Sequence, residues 1–237
     1  MDKSISLVIS CFNEEGNINK LVDRCKKILE IKNSELILVN NGSNDNTKNI
    51  IQKHANENQK IKLVDIEKNI GFGNGIWEGF KKAKYNILAY THADLQTDPE
   101  DIIRGLEIIK KDDQFVKGLR VDKLKNEWSY FDIFISFSMT IFTSLLLRTH
   151  MKDIHAQPVL FSKKLYDQFK FFPKDFMIDV WIFYVARIKK CEILRFPVIF
   201  NKNARYYGEG NNDTFLKTVH GSFLHIIGTF KLLGKPK

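Results

Sequence analysis

Apolar and β-branched residues gather in four short runs in the first half of the chain, residues 5–9, 35–39, 61–66 and 86–90, and each is a strand candidate. Between the first two, residues 18–31 carry Ile18, Leu21, Val22, Cys25, Ile28 and Leu29 at the three-and-four spacing of one helix face, and residues 46–54 and 75–84 are shorter versions of the same pattern. Strand and helix therefore alternate, which predicts an α/β fold: a mostly parallel sheet with helices on both faces. In such sheets ligands collect at the carboxyl ends of the strands. The residues just past those ends are polar: Asn13-Glu14-Glu15, Asn40-Asn41-Gly42-Ser43-Asn44-Asp45, Glu67-Lys68-Asn69 and His92-Ala93-Asp94-Leu95-Gln96. Asp98-Pro99-Glu100-Asp101 then opens a helix running to about Lys111, since Pro suits a first turn and carboxylates favour the positive end of the helix dipole.

The second half is less regular. A strand over 115–119 ends at Arg120, and the most apolar stretch of the chain follows at 133–147, bounded by Asp132 and Arg148. A membrane span needs about 20 apolar residues, and this run is shorter and interrupted by Ser136, Ser138, Thr140, Thr143 and Ser144. Two readings stay open for it, a helix lying in a membrane interface and a buried helix packed on the sheet. A strand over 158–161, a helix over 178–189 and a strand over 191–200 come next. Residues 215–233 place Phe215, Leu216, Val219, Phe223, Ile226, Ile227 and Phe230 at mostly helical spacing, a helix that docks on the body or on lipid. There is no internal repeat and no low-complexity linker. The expectation is one catalytic domain over 1–212 with a basic amphipathic tail over 213–237.

Composition narrows the classes. With 43% hydrophobic and 27% charged residues the chain can bury one sizeable core, which excludes disorder, a collagen-like fibre and a many-span membrane protein. Of the net charge of +9, residues 195–237 supply +5, so the basic character is local and suits phosphate or an anionic membrane surface. Aromatics do not interleave with Lys and Arg in any nucleic-acid module, and no nucleic-acid partner is expected. Cys11, Cys25 and Cys191 form no metal or disulfide pattern, and the first ten residues lack a secretory signal, which together indicate a cytoplasmic protein. His54, His150, His155, His220 and His225 show no metal-ligand spacing and read as structural or solvated.

The chemistry concentrates in residues 92–96. Asp94 and Gln96, two apart in an extended chain, point the same way and offer oxygen ligands to a divalent cation that also holds a diphosphate. Gly71-Phe72-Gly73-Asn74-Gly75 does not make a dinucleotide fingerprint, because Ile76 stands where the third Gly is required and the loop follows the third strand.

Seven segments in order carry a family resemblance: residues 10–15, 39–47, 69–73 and 92–100, then Gly118-Leu119-Arg120, Asp153-Ile154-His155-Ala156-Gln157-Pro158 and Arg205-Tyr206-Tyr207-Gly208. Together they resemble the family 2 glycosyltransferases of GT-A fold, most of all the dolichol- and polyprenyl-phosphate sugar transferases. The resemblance covers about residues 4–211 and implies a Rossmann-like single domain and a nucleotide-diphosphate-sugar donor. It implies a nucleotide site bordered by Ser10, Phe12, Glu14, Val39, Asn41, His92 and Ala93, and a Mn2+ or Mg2+ ion on Asp94 and Gln96 with His92. Arg120 and Arg205 would meet phosphate, and Asp94, Arg120, Asp179 and Arg205 form the catalytic set.

His92 stands where the family has an Asp, Asn40-Asn41 where it has Asp-Asp, and Gly210-Asn211 where it often has Ser-Lys. The site thus carries less negative charge than the family pattern. The reaction implied is metal-assisted transfer with inversion to a polyprenyl or dolichyl phosphate, on the inner face of the membrane and in cell envelope glycan synthesis. A phosphate acceptor is already anionic, whereas a saccharide hydroxyl would need a base, for which Asp179 at a helix start is the first candidate and Asp153 the second. A saccharide acceptor and a non-catalytic GT-A domain that binds nucleotide or a partner protein stay open as alternatives.

Overall fold

The computed structural model describes residues 3–126, 128–201 and 215–236. Strands β1 (Ile5–Cys11), β2 (Ser34–Asn41), β3 (Ile61–Ile66), β4 (Ile87–His92), β5 (Gln114–Arg120), β6 (Val159–Ser162) and β7 (Glu192–Val198) form one sheet in the order β3-β2-β1-β4-β6-β5-β7. All neighbours run parallel except β6, which is antiparallel to both β4 and β5. β1, β2 and β6 are buried along their whole length, which explains why they read as unbroken apolar runs. β1 and β2 extend two residues beyond their apolar runs, to Cys11 and Asn41, because backbone ladder pairing continues past the last apolar side chain.

Alternate strand residues feed two cores. Val8, Ile37, Val39 and Tyr90 face α4 (Phe72–Lys82) and α8 (Ile178–Ile188), while Leu7, Ile9, Leu36 and Leu38 face α1 (Ile18–Arg24), α2 (Lys26–Glu30), α3 (Thr47–Glu57) and α5 (Asp101–Ile108). The helix expected over 18–31 is two helices, broken at Cys25, a bend that keeps Cys25, Ile28 and Leu29 all buried. α5 starts later than expected, because Asp98 is used as a turn acceptor for the Glu100 N–H at 3.0 Å and as the partner of Arg24. A short α7 (Lys163–Tyr166), capped by Ser162, had no sequence signal.

The apolar stretch is α6 (Tyr130–Leu146), opened by a Ser129–Asp132 capping box. It is not a core helix: within it only Thr143 is buried. It packs instead on α9 (Phe215–Leu232), with Phe131 against Phe215 and Phe142 against Phe230. α9 docks on the body through its other side, where Leu232 joins the core and Gly228 sits so close to Met177 that a Cβ would lie 2.5 Å from the Met177 side chain. Among the described residues no helix is long and apolar enough to cross a membrane.

Gly79 in α4 shows how tightly helix and sheet meet. A Cβ there would lie 2.2 Å from Val8 Cγ1 and 3.0 Å from Val39 Cγ2. Gly79→Ala should therefore destabilise by about 1–3 kcal/mol through overpacking, outweighing the ~1 kcal/mol that alanine adds to a helix interior. Thermal or urea unfolding of the two proteins measures the difference.

Candidate active site

The site begins as a row across three strands. Register places Val39 of β2 beside Ser10 of β1, and Ser10 beside His92 of β4. β1 is where the strand order reverses, the position at which a doubly wound sheet opens a crevice. The first turn of α4 closes over this row: a Cβ on Gly75 would lie 2.1 Å from Ser10 Oγ and 3.3 Å from Asn41 Cγ. Asn41 donates from Nδ2 to the Gly71 carbonyl at 3.1 Å and to Asn69 at 3.3 Å, while its Oδ1 is buried without a hydrogen-bond partner. An acceptor left so costs about 1–3 kcal/mol, which a ligand N–H would recover.

The loops after β1 and β2 brace one another. Asn13 N–H donates to Ser43 Oγ at 3.1 Å, Glu14 N–H to Thr47 Oγ1 at 2.8 Å and Glu15 N–H to Asp45 at 3.1 Å, while Asn44 N–H donates back to Asn13 at 2.9 Å. This fixes the half-buried Glu14 beside an exposed Phe12 ring.

Past β4, Ala93, Asp94 and Gln96 are all buried. Leu95 takes a left-handed φ of 61°, and the Gln96 N–H donates to Asp94 Oδ1 at 3.1 Å, a tight turn that holds the carboxylate in place. The far side of the turn is pinned where Thr97 bridges Phe200 and Asn201 N–H donates to the Gln96 carbonyl at 3.0 Å. His92 is half-buried with its ring 5.1 Å from that of Phe72. Among the described residues no three His, Cys, Asp or Glu side chains converge on a point. One carboxylate, one amide oxygen and one imidazole therefore fit a cation shared with a ligand diphosphate better than one held by protein alone.

Two buried carboxylates organise the opposite side of the site. Asp153, at a left-handed φ of 49°, accepts the Arg120 backbone N–H and Nε, each at 2.7 Å, and pairs with the rest of the guanidinium. Arg120 also lies against Trp128 and Phe200, 4.8 and 5.8 Å from their ring centres, so its fork clamps the loop before β6. Arg195 holds the same loop through the Lys152 carbonyl at 2.5 Å. Asp179, in the first turn of α8, accepts from Tyr90 Oη at 2.6 Å, from Gln157 Nε2 at 3.3 Å and from His155 Nδ1 at 3.3 Å. Burial pushes the Asp179 carboxyl up, and the His155 hydrogen bond with the nearby Lys117 charge more than reverses this, leaving it well below the ordinary carboxylate range. Arg205, with the motif 205–208 and Gly210-Asn211, lies outside the described residues.

Sequence reasoning missed Tyr90, His155, Gln157, Lys117 and His225. The signal for Lys117 was available, since a lysine inside the apolar run of β5 must be buried; its amine is fully buried without a hydrogen-bond partner, and burial pushes its pKa down to about 7. The histidines gave none, because their partners are far apart in sequence.

The Glycosyl transferase family 2 profile matches residues 6–170. The chain belongs to that family. As a member it is a glycosyltransferase, and the sheet is its GT-A fold. An undecaprenyl-phosphate 4-deoxy-4-formamido-L-arabinose transferase of Pectobacterium atrosepticum is 33% identical over 126 residues, covering 51% of this chain and 38% of that protein. A poly-beta-1,6-N-acetyl-D-glucosamine synthase of Staphylococcus epidermidis is 33% identical over 109 residues, covering 46% of this chain and 26% of that protein. The match thus spans well under half the length of these curated relatives. Among solved structures, glucosyl-3-phosphoglycerate synthase from Mycobacterium tuberculosis in complex with Mn2+, UDP and phosphoglyceric acid superposes with a TM-score of 0.70 at 16% identity, covering 100% of this chain and 80% of that one. At that identity the likeness is one of fold.

The Arg120–Asp153 pair sets a stability test. Burial pushes the Asp153 carboxyl up, but the Arg120 charge and hydrogen bonds hold it well below the usual range. A depressed carboxylate contributes stability that is present above about pH 4 and lost as the pH falls below that. Asp153→Asn should cost about 3–5 kcal/mol at neutral pH, because it strands a buried guanidinium. Denaturant melts from pH 7 to pH 3 should show the gap between the variant and the parent closing as acid is added.

Proposed function

We propose that this glycosyltransferase moves a sugar from a nucleoside diphosphate sugar to a polyprenyl phosphate, with inversion at the anomeric carbon, at a membrane surface. The observation that carries the acceptor is the outer face of the α6–α9 pair. Tyr130, Phe134, Phe137, Ile141 and Leu145 form one exposed stripe along α6, and Leu216 and Phe223 of α9 are exposed as well, Leu216 to 77%. Apolar patches of this kind mark an interaction surface, and a helix pair with Lys217 and Lys231 on α9 suits an anionic bilayer.

On the donor side, the orphaned Asn41 Oδ1 accepts an N–H from the base edge, Glu14 accepts from a ribose hydroxyl, and Ser10, Phe12, Val39 and Ala93 line the nucleoside. Asp94, with Gln96 and His92, would share a divalent cation with the diphosphate. Held by these residues, a cation would supply positive charge to stabilise the leaving group. By the family resemblance Arg205 would meet the same diphosphate, while Arg120, its fork committed to Asp153, positions the acceptor-side loop. An oxygen of the acceptor phosphate attacks the anomeric carbon from the face opposite the diphosphate, and that bond breaks with its electron pair leaving on the diphosphate. The acceptor is already an anion, so no base is needed.

A saccharide acceptor is the second reading, favoured by the Staphylococcus epidermidis relative. It would make Asp179 the base, yet that carboxylate is buried, hydrogen-bonded at both oxygens and of low proton affinity. All three properties favour the phosphate acceptor.

Thermal shifts with UDP, GDP, CDP and TDP, each with Mn2+, Mg2+ or chelator, test the donor site. One nucleotide at a hundred times its Kd should add about 2.7 kcal/mol of stability, and Asp94→Asn should remove the part that depends on the cation. No shift with any nucleotide would overturn the reading. For the acceptor side, sedimentation with anionic vesicles should show binding that weakens with salt and at least about tenfold with Phe137→Ser, Leu216→Ser and Phe223→Ser combined. Equal binding by that triple variant would remove the membrane surface.

A further inference from the structure

A single line of hydrogen bonds runs from inside the α6–α9 pair to the floor of the site. Thr143 of α6 and His225 of α9 are both buried, and Thr143 Oγ1 meets His225 Nε2 at 2.7 Å. His225 Nδ1 meets His155 Nε2 at 3.1 Å, and His155 Nδ1 meets Asp179 Oδ2 at 3.3 Å. Phe176 packs beside both imidazoles, 6.1 and 6.4 Å from their centres. Among the described residues, His225 is the one buried ionisable side chain of α9.

Proton directions along the line follow from its end. An ionised Asp179 only accepts, so His155 Nδ1 donates to it. Burial keeps His225 uncharged, pushing its pKa down to about 3. A neutral imidazole has one donor and one acceptor nitrogen, so the bonds of His225 to His155 Nε2 and to Thr143 Oγ1 run in the same sense along the line. Such aligned hydrogen bonds polarise one another, so movement of α9 against α6 is felt at Asp179.

We propose that Thr143, His225 and His155 are positioning residues that tie the seating of the α6–α9 pair on a lipid surface to the Asp179 carboxylate, so that transfer is fast only when the pair is docked. This rests on the lipid phosphate reading above. The line joins the surface that would meet the acceptor's membrane to the carboxylate that, with Tyr90 and Gln157, shapes the acceptor side. His155 is hydrogen-bonded both to this carboxylate and to His225, which makes it the link to the helix pair.

The test uses the whole chain, anionic vesicles with and without polyprenyl phosphate, and the variants Thr143→Val, His225→Phe and His225→Asn. Thr143→Val keeps the shape and deletes only the hydroxyl, and Asn at 225 keeps a donor near the place of Nδ1. Expected are kcat values lower by roughly tenfold or more in Thr143→Val and His225→Phe, with unchanged KM for the donor and unchanged vesicle binding. His225→Asn should recover most of the loss. In 15N spectra, vesicles without acceptor should shift the His155 ring signals of the parent protein and leave those of Thr143→Val in place. Parent-like kcat and a parent-like His155 shift in Thr143→Val would overturn the relay, as would a His155 signal that vesicles do not move in the parent. If the parent transfers nothing to polyprenyl phosphate yet vesicles still shift His155 only with Thr143 present, the acceptor reading fails and the relay stands.

Discussion

A carboxylate withdrawn from water needs partners of fixed geometry, and Asp179 recruits them from separate parts of the fold. Tyr90 comes from the middle of the sheet, His155 and Gln157 from the loop before β6, and Asp179 itself from the first turn of α8. The second half of the chain has few long strands to define it. Its loops are placed by this charge and by the Arg120–Asp153 pair, whose partners are also drawn from a strand and from the same loop. Loss of either carboxylate would remove one of the ties on the loop before β6, which Arg195 also holds.

The row at the ends of β1, β2 and β4 works by a different principle. There the ladder does the positioning: Val39, Ser10 and His92 are aligned by strand register, and the loop turns are tied by backbone N–H groups donating to side-chain oxygens. Such a site is rigid before any ligand arrives, which suits recognition of a nucleotide by shape and hydrogen bonding. Substituting Asn for Asp at 40 and 41 fits the same picture, since Asn40 donates to Asp65 at 2.7 Å and Asn41 donates to the Gly71 carbonyl, bonds that a carboxylate cannot make.

How much of this was legible in the sequence divides along the same line. The β-α alternation, the polar strand ends and the run from His92 to Gln96 are local patterns, and each sits where periodicity places it. Strand ends are longer than the apolar runs because hydropathy does not register a polar residue that is still paired in a ladder, as at Asn40 and Asn41. The break between α1 and α2 leaves no trace in the sequence because the apolar spacing passes through Cys25 without interruption. α6 shows the opposite limit: its apolar content fits burial and exposure equally, and only the tertiary placement of α9 decides between them. The buried network was the least visible part, since His155 and His225 are 70 positions apart and neither stands in a metal-ligand spacing.

The reversed direction of β6 has a consequence for how the site can change. In a fully parallel sheet only the loop that follows a strand reaches the carboxyl edge. β6 runs the other way, so it presents there the loop that precedes it, the one bearing Asp153, His155 and Gln157. Two kinds of connection therefore meet at one edge, and they answer to different strands. Residues between α6 and β6 can be lengthened or exchanged without moving the row of Val39, Ser10 and His92. One inverted strand thus lets the loop before β6 diversify while the row of Val39, Ser10 and His92 stays fixed.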